Sequence, residues 1–444
     1  MTDSILFWNQ VALDASKADF SSPTPADDPA PQQPGPTYSS RALAIVHLAM
    51  YDAYAAITGS ATYLTYGTVP GISTLPAAQA AVAAAACLTL VAMFSRQKDF
   101  FLKKHGDFLA ALGATDPEVE KGLAWGKLVA NQMLDSRKND GSEASNDQYA
   151  PSAMPYRHRP DPLNPAQGFL GPLWGKVTPF GVNNLNSVIT ALPAPPASAA
   201  LYATNFNQVK TLGQEQGSTR TPAQTTTGLF WAYDGARNIG LPPRLYNQVI
   251  RAIAMTFGST EAQNAKLFAM VNAGMADAGI QAWYEKYKHN FWRPVVGIRE
   301  SDAGWGPTGI GDSNATTIGD SYWKPLGAPR TNRTGAPSFT PGFPAYPSGH
   351  ATFGTTALRL AERALALPAA FTFNFVSDEF NGENAGAAGI RPVHKRTMTI
   401  AQAIEDNLAS RVFLGVHWRF DGDTGRQIGE DIAMRIATAF PAKA

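Results

Sequence analysis

The sequence contains little cysteine and little charge, and both scarcities limit the classes of protein it can belong to. Its 444 residues include a single cysteine, Cys87, so an internal disulfide framework is excluded. Charged residues make up 16%, which is below the usual globular share. The 36 basic and 35 acidic residues nearly cancel, so no overall field attracts nucleic acid or an anionic membrane.

Long apolar runs are also scarce, and the main membrane candidate is the uncharged segment 77–94. It is rich in alanine, which partitions weakly into lipid, so the pattern favours a buried core helix over a membrane span. The N-terminus has no basic region leading into an apolar one, so a secretory signal is not expected. We therefore predict a cytoplasmic protein without a membrane partner.

Helical spacing of apolar residues dominates the chain, and the alternation typical of strands is rare. Residues 1–38 are predicted to be an N-terminal extended arm, because much of this stretch is rich in Pro, Ala and Asp. Residues 39–240 are predicted to be an N-terminal helical bundle plus a loop region, with ordered loops over 140–240. Residues 241–444 are predicted to be a C-terminal helical bundle. The expected fold is all-α, with two four-helix-bundle-like halves and long ordered loops.

Three short segments of the C-terminal half contain the residue types that bind an oxyanion. These residues are Lys286, Arg293, Ser348, Gly349, His350, Arg411 and His417. Clustered cations repel one another and are costly to bury unless an anion neutralises them. Guanidinium groups offer paired donors that match an oxyanion, and lysine adds a point charge. The set therefore predicts a site for a tetrahedral, phosphate-like group.

Ser348 and Gly349 directly precede a predicted helix, and the N-terminus of a helix binds anions through its free amides and its dipole. Gly349 also lets the backbone approach an oxygen closely. For Ser348 alone, an ordinary N-cap serine would produce the same pattern. The prediction therefore depends on the whole set of residues.

Two histidines of the set are candidates for chemistry. His417 could ligate a metal-centred oxyanion or attack phosphorus, and Asp421, four residues later, could hold its other ring nitrogen. His350 lies beside the predicted anion site, where it could act as general acid or base. The alternative for His417 is a structural histidine at a helix end.

Two longer stretches around these residues resemble a known family. The segments Phe343-Pro-Ala-Tyr-Pro-Ser-Gly-His350 and Ser410-Arg-Val-Phe-Leu-Gly-Val-His417 resemble the signature of vanadium-dependent haloperoxidases. Related acid phosphatases share the signature, but the local sequence around these residues is closer to that of the haloperoxidases. The similarity is close over roughly residues 240–430 and looser over the N-terminal helices. It implies a mainly α-helical fold with two four-helix bundles.

The resemblance also implies a vanadate cofactor and a role for each residue of the set. His417 would be the axial vanadium ligand, and His350 would contact the apical oxygen. The residues that would donate hydrogen bonds to the vanadate oxygens are Lys286, Arg293, Ser348, Gly349 and Arg411. His350, Lys286 and His417 would be catalytic. Hydrogen peroxide would oxidise a halide to hypohalous acid, which would halogenate a small organic substrate without a redox cofactor.

Phe343 and Trp283 are candidates for the halide site. Phe343 matches fungal chloroperoxidases, which resemble one another in having phenylalanine where algal bromoperoxidases have histidine. Trp283 lies three residues before Lys286, on the same helix face. An apolar wall there would strip water from a halide, although core packing would explain both residues equally well. The match permits chloride oxidation, and bromide is the expected substrate because it is easier to oxidise.

Other functions remain open at this stage. A phosphatase could use the same pocket, with a phosphohistidine at His417 and His350 as the acid for the leaving alcohol. A non-catalytic oxyanion-binding protein is disfavoured, because mere binding needs neither histidine. The Asp and Asn residues of 302–320 and 378–381 could hold calcium, although turns are the commoner use of such residues. The low charge fraction fits a buried subunit interface, so a homo-oligomer is expected.

Overall fold

A computed structural model describes residues 2–21, 30–68, 71–113, 117–144, 149–185, 195, 198–333 and 335–443. The helices of these residues are, in chain order, α1 Ser4–Ala18, α2 Pro36–Ile57, α3 Leu75–Met93, α4 Lys98–Leu112, α5 Val119–Ser136, α6 Ala199–Leu212, α7 Pro222–Phe230, α8 Pro242–Phe257, α9 Glu261–His289, α10 Pro294–Glu300, α11 Gly349–Ala364, α12 Ile400–Phe413 and α13 Arg419–Ala439. Two small antiparallel pairs join β1 Thr372–Val376 to β4 Lys395–Thr399 and β2 Ala385–Gly386 to β3 Gly389–Ile390. The prediction of a mainly helical protein with long loops is confirmed.

The alanine-rich segment forms α3, which packs between α2 and α5. Its length and composition would suit a membrane span, and 72% of its apolar window is buried inside the protein. No other helix of the described residues meets that test. Gly122 and Gly126 of α5 lie against the backbone of α3, where a side chain at either position would collide with Ala77 or Ala81. Small residues thus allow α3 and α5 to pack closely.

Helix α9 is the central element of the fold and positions the candidate site. It is 29 residues long and begins with a capping box in which Thr260 and Gln263 bond each other's backbone amides. It ends at Asn290, which adopts a left-handed conformation with φ of 53°. Along its length α9 packs against α2 of the N-terminal half and against α11 and α13 of the C-terminal half. One continuous apolar core therefore contains side chains from both halves.

The extended-arm prediction for residues 1–38 is wrong over residues 4–18, which form α1. Asp3 caps this helix by accepting a hydrogen bond from the Leu6 amide at 2.9 Å. Trp8 is completely buried, and α1 packs against α3, α8 and α9. The apolar spacing of α1 therefore outweighs the proline-rich composition that follows it. Residues 22–29, also within the predicted arm, lie outside the described residues.

The loop prediction for 140–240 is wrong over two segments, which form α6 and α7. The hydroxyl of Ser198 caps α6, and Thr221 forms a capping box with Gln224 at the start of α7. A threonine followed by proline and, three positions on, by glutamine is a helix-start signal that was readable in the sequence. The other described parts of this region contain turns and one short 3-10 helix around the buried Trp174.

Candidate active site

The predicted site residues come from the five helices α9 to α13 and the loops between them, which meet at the C-terminal end of α9. Lys286 lies on the last turns of α9, and Arg293 is the N-cap of α10. Ser348 is the N-cap of α11, and its amide donates to the carbonyl of Asp421 in α13 at 2.8 Å. Asp421 also contacts His417, and His417 contacts Arg293, so these residues form one cluster.

Lys286 is completely buried, and its ammonium group is held by a turn of the chain. Nζ donates to the carbonyl oxygens of Pro344 at 2.9 Å and Ala345 at 3.0 Å, and also to that of Pro347. Burial, reinforced by the nearby charge of Arg293, holds the pKa of Lys286 well below its usual range. Lys286 is thus anchored directly beneath the segment that leads to Ser348.

Arg293 and Asp421 hold His417 between them. His417 Nδ1 lies 2.8 Å from Oδ2 of Asp421, and His417 Nε2 lies 2.9 Å from Nη1 of Arg293. A carboxylate can only accept at Nδ1 and a guanidinium can only donate at Nε2, so the two contacts select the tautomer protonated on Nδ1. Nε2 therefore carries the lone pair. Burial and the charge of Arg293 hold the pKa of His417 well below its usual range, which keeps the ring neutral.

His350 follows Ser348 and Gly349 at the start of α11 and is buried. Its Nε2 lies 2.6 Å from the carbonyl oxygen of Ala232 and 3.9 Å from Oδ1 of Asp234. Burial and the charge of Arg411 lower the pKa of His350 to about 3. The imidazole is therefore neutral at physiological pH and available as a proton acceptor.

Gly349 lies against the ring of Trp283. A Cβ atom built on Gly349 would lie 3.1 Å from Cζ3 and 3.4 Å from Cη2 of that ring. Such contacts are tighter than ordinary packing, so glycine at this position also leaves room for the Trp283 ring. Trp283 is fixed from its other side, because Nε1 donates to the carbonyl of Leu170 at 3.0 Å.

Asp234 is a site residue that the sequence did not indicate. Its two carboxylate oxygens accept from Nη1 and Nη2 of Arg411, each at 3.0 Å. The two residues are 177 positions apart in the chain. Asp234 lies in the short loop after α7 and belongs to no local motif. Only a three-dimensional contact could have identified it.

The cluster retains more positive charge and more donors than its own acceptors satisfy. The carboxylates beside the three cations are Asp234 and Asp421, and burial raises the pKa of Asp421 to about 7. Among the described residues, Nη2 of Arg293 and Nε of Arg411 are buried donors without a hydrogen-bond partner. Unsatisfied buried donors are costly, so the arrangement is suited to an anion rather than to an empty interior.

Phe343 and Trp283 form an aromatic wall beside these cations. Their ring centroids are 4.8 Å apart, and Nζ of Lys286 lies 5.2 Å from the centroid of Phe343. The guanidinium carbon of Arg293 lies 4.9 Å from the same centroid. Both rings line a cavity of about 420 Å³ that also reaches His350, Arg411 and His417. The cavity connects the charged cluster to an apolar space large enough for an organic molecule.

The calcium site suggested by the acidic loops receives no support. No group of three or more His, Cys, Asp or Glu side chains suited to a metal ion occurs among the described residues. Asp312 instead accepts from the amide of Asn314 and the hydroxyl of Thr317. Asp378 forms an ion pair with Arg244. These acidic side chains stabilise turns and a buried arginine.

Comparison with known proteins assigns the class. Residues 1–173 match the family model of the vanadium chloroperoxidase N-terminal domain, and residues 266–441 match that of the second helical-bundle domain of vanadium chloroperoxidase. The vanadium chloroperoxidase of Curvularia inaequalis is 31% identical over an alignment of 510 residues, covering 96% of this chain and 80% of the relative. The chain belongs to the vanadium-dependent haloperoxidases, enzymes that act with peroxide.

Solved structures of low sequence identity share the same fold. A bacterial vanadium-dependent iodoperoxidase superposes with a TM-score of 0.72 at 20% identity, covering 99% of this chain and 96% of that chain. The apo form of a bacterial vanadium-dependent chloroperoxidase superposes with a TM-score of 0.65 at 17% identity, covering 91% and 94%. Both comparisons extend over nearly the whole chain.

Membership of this family implies a vanadate cofactor, and the residues present fit that group. Orthovanadate is a tetrahedral oxyanion that shares the shape and charge of phosphate. The partnerless donors of Arg293 and Arg411 suit the oxygens of such an anion. Nε2 of His417, which accepts from Arg293 in this structure, has the lone pair that could bind its central atom. The surplus positive charge of the cluster supplies the electrostatic complement.

Proposed function

We propose that this protein uses vanadate to oxidise bromide with hydrogen peroxide to hypobromous acid, with chloride as a second halide. The overall reaction is H2O2 + Br− + H+ → HOBr + H2O. The observation that carries the proposal is the buried cationic cluster with unsatisfied donors, set directly against the aromatic wall of Trp283 and Phe343. The cluster suits the oxyanion, and the wall suits a partly dehydrated halide.

In this proposal His417 would hold the vanadate through Nε2, because Asp421 already engages Nδ1. The other residues that would hold the vanadate, through side chains or backbone amides, are Lys286, Arg293, Ser348, Gly349 and Arg411. When bound, vanadate supplies a Lewis acid that activates peroxide without a change of oxidation state. The protein must then orient the anion, exclude bulk water and accept the protons that peroxide releases.

His350 is the proposed proton acceptor for peroxide. Its neutral ring and its position at the start of α11 suit that task, because a general base must be unprotonated when the reaction begins. The carbonyl of Ala232, 2.6 Å from Nε2, fixes the ring orientation. Lys286 is proposed to polarise the reacting oxygen by its positive charge. Three carbonyl oxygens accept its three N–H groups in this structure, so one N–H would have to turn to the bound anion.

The aromatic wall is proposed to favour the halide reaction. Phe343 lies against both Lys286 and Arg293, so a halide beside it would meet positive charge and little water. Chloride loses more hydration energy than bromide on entering such a site. The structure of the wall therefore permits chloride, and bromide is the easier substrate.

The test is bromination of a phenolic dye by metal-free protein supplied with bromide and peroxide, with and without orthovanadate. We expect activity only with vanadate and its suppression by added phosphate. His417→Ala should abolish the activity, whereas the control His394→Ala, at an exposed histidine, should retain it. Bromination that is independent of vanadate, or unaffected by His417→Ala, would contradict the proposal.

A phosphatase is the second candidate, and the tautomer of His417 supports it. A nucleophilic histidine needs a carboxylate at Nδ1, which Asp421 supplies, and a lone pair on Nε2. That lone pair accepts a hydrogen bond from Arg293 in this structure, so Arg293 would have to turn to the phosphate before His417 attacks. The measurement is hydrolysis of p-nitrophenyl phosphate by vanadate-free protein. Hydrolysis that vanadate inhibits, in the absence of any bromination, would move the function to phosphoryl transfer.

A further inference from the structure

Arg330 brings a positive charge into the wall of the cavity that reaches His350 and His417. It lies in the long loop between α10 and α11 and is not one of the predicted oxyanion-binding residues, although the charge of Asp234 acts on it and opposes the lowering of its pKa. Its side chain is half-buried, and burial and the charge of Arg333 lower its pKa. Neither vanadate binding nor peroxide activation requires a cation at this position.

The guanidinium group of Arg330 is held in place but is not neutralised. Its central carbon lies 3.8 Å from the centroid of the Phe339 ring, a stacking contact that fixes its plane. No carboxylate of the described residues forms an ion pair with Arg330. The nearby Asp234 has both oxygens engaged by Arg411. The N–H groups at the edge of the guanidinium are therefore available to an anion.

The space around Arg330 is sized and lined for an aromatic molecule. A cavity of about 420 Å³ is much larger than a halide or peroxide requires and lies within the range of small-molecule pockets. Phe169, Leu170, Phe339 and Phe343 contribute to its apolar lining. Aromatic and aliphatic walls favour a flat ring, because they replace its contacts with water.

We propose that this cavity binds an aromatic carboxylate, with the carboxylate paired to Arg330 and the ring against the apolar wall. The inference deepens the proposed function, because it names the organic substrate that the hypohalous acid would halogenate. In that step, ArH + HOX → ArX + H2O: the ring's electron pair forms the C–X bond as the O–X bond breaks. The proton lost from the ring carbon joins the departing hydroxide as water.

Competition between matched substrates tests this selectivity. 4-Hydroxyphenylacetate and 4-hydroxyphenethyl alcohol carry similarly activated rings and differ in the carboxylate. We expect the enzyme to prefer the carboxylate by roughly tenfold over the ratio given by reagent hypobromite, as one desolvated charge pair would provide. Arg330→Met should reduce the ratio to that of hypobromite, and Arg330→Lys should keep part of the preference.

Arg333→Met is the matched control, because it removes a neighbouring positive charge that does not line the cavity. Arg333→Met should keep the preference for the carboxylate substrate over the alcohol. With the alcohol as reporter, Arg330→Met should leave the kcat and the KM for bromide and peroxide unchanged, which also shows that the variant folds. An unchanged substrate ratio in Arg330→Met would overturn the proposal. A raised bromide KM with an unchanged ratio would do so too, because Arg330 would then serve the halide.

A binding measurement separates this proposal from the proposed function. Calorimetric titration with phenylacetate, without vanadate or peroxide, should show binding to the wild type and at least tenfold weaker binding to Arg330→Met. Benzyl alcohol should bind both proteins equally. Equal phenylacetate affinity in the two proteins would overturn the carboxylate assignment even if bromination is observed. Arg330-dependent binding in a protein that fails to brominate would support the cavity assignment and contradict only the haloperoxidase function.

Discussion

Arg411 and Asp234 form a two-point ion pair, with both guanidinium Nη atoms 3.0 Å from the carboxylate oxygens. Both side chains are almost completely buried. The pair fixes the plane of the guanidinium and leaves Nε as its one donor without a partner among the described residues. Asp234 thus orients Arg411 and offsets part of the positive charge of the cluster.

Replacing Asp234 tests that role through stability. Asp234→Asn should lower the free energy of unfolding of the vanadate-free protein by about 3 kcal/mol, because a buried arginine loses its charged partner. Urea unfolding with and without saturating phosphate is the measurement. Phosphate should stabilise the variant more than the wild type, because a bound anion would neutralise the charge that Arg411 no longer shares with Asp234. The control Asp431→Asn removes a partly exposed i,i+4 ion pair with Arg435, and should cost less than about 1 kcal/mol.

Asp421 should determine how tightly vanadate binds. In Asp421→Asn the amide can donate to Nδ1 of His417, which allows the tautomer that places the proton on Nε2. We expect the apparent affinity for vanadate to fall by about 10- to 100-fold, while saturating vanadate restores a measurable part of the activity. Reactivation of the metal-free protein at graded vanadate concentrations gives this value. An affinity equal to that of the wild type would mean that Arg293 alone fixes the ring.

The site residues that sequence predicted differ from those it missed in a physical way. Lys286, Arg293 and His417 occur in short local motifs whose spacing already suggests an anion site. Asp234 has no such motif, because its role arises from a contact with Arg411, which is distant in the chain. The role proposed for Arg330 likewise depends on the cavity that it lines and not on a local motif. The helical character of the fold was predictable from apolar periodicity. The proline-rich stretch after α1 dominates the composition of residues 1–38 and conceals the helical spacing of residues 4–18.

Phe343 should influence the choice of halide. Phe343→His replaces the apolar face beside Lys286 and Arg293 with a ring that binds water, so the more strongly hydrated chloride should suffer more than bromide. We expect the ratio of kcat/KM for chloride to that for bromide to fall by roughly tenfold, equivalent to about 1.4 kcal/mol. Phe343→Leu, which keeps an apolar side chain, is the control. A ratio that both variants lower equally would indicate packing rather than polarity.

Buried His47 in α2 should make stability depend on pH. Its Nδ1 lies 2.7 Å from the carbonyl oxygen of Leu43, and its Nε2 lies 2.8 Å from Nδ2 of Asn9. Arg251 donates to the amide oxygen of Asn9 at 3.1 Å, which keeps the amide nitrogen facing the histidine. A proton added to Nε2 would therefore face the N–H donor of Asn9, with no acceptor for its hydrogen bond. Burial lowers the pKa of His47 to about 4 from its usual value of 6.5.

Because the folded pKa is depressed, the unfolded chain binds the proton more readily between pH 4 and 6.5. The stability associated with neutral His47 is therefore complete above pH 6.5 and declines as the pH falls through this range. His47→Gln cannot titrate, so its stability deficit relative to the wild type should shrink by about 2 to 3 kcal/mol between pH 7.5 and 4.5. Urea unfolding at both pH values measures the change, with His394→Gln at an exposed histidine as control. A deficit that stays constant with pH would show that His47 titrates alike in the folded and unfolded chains.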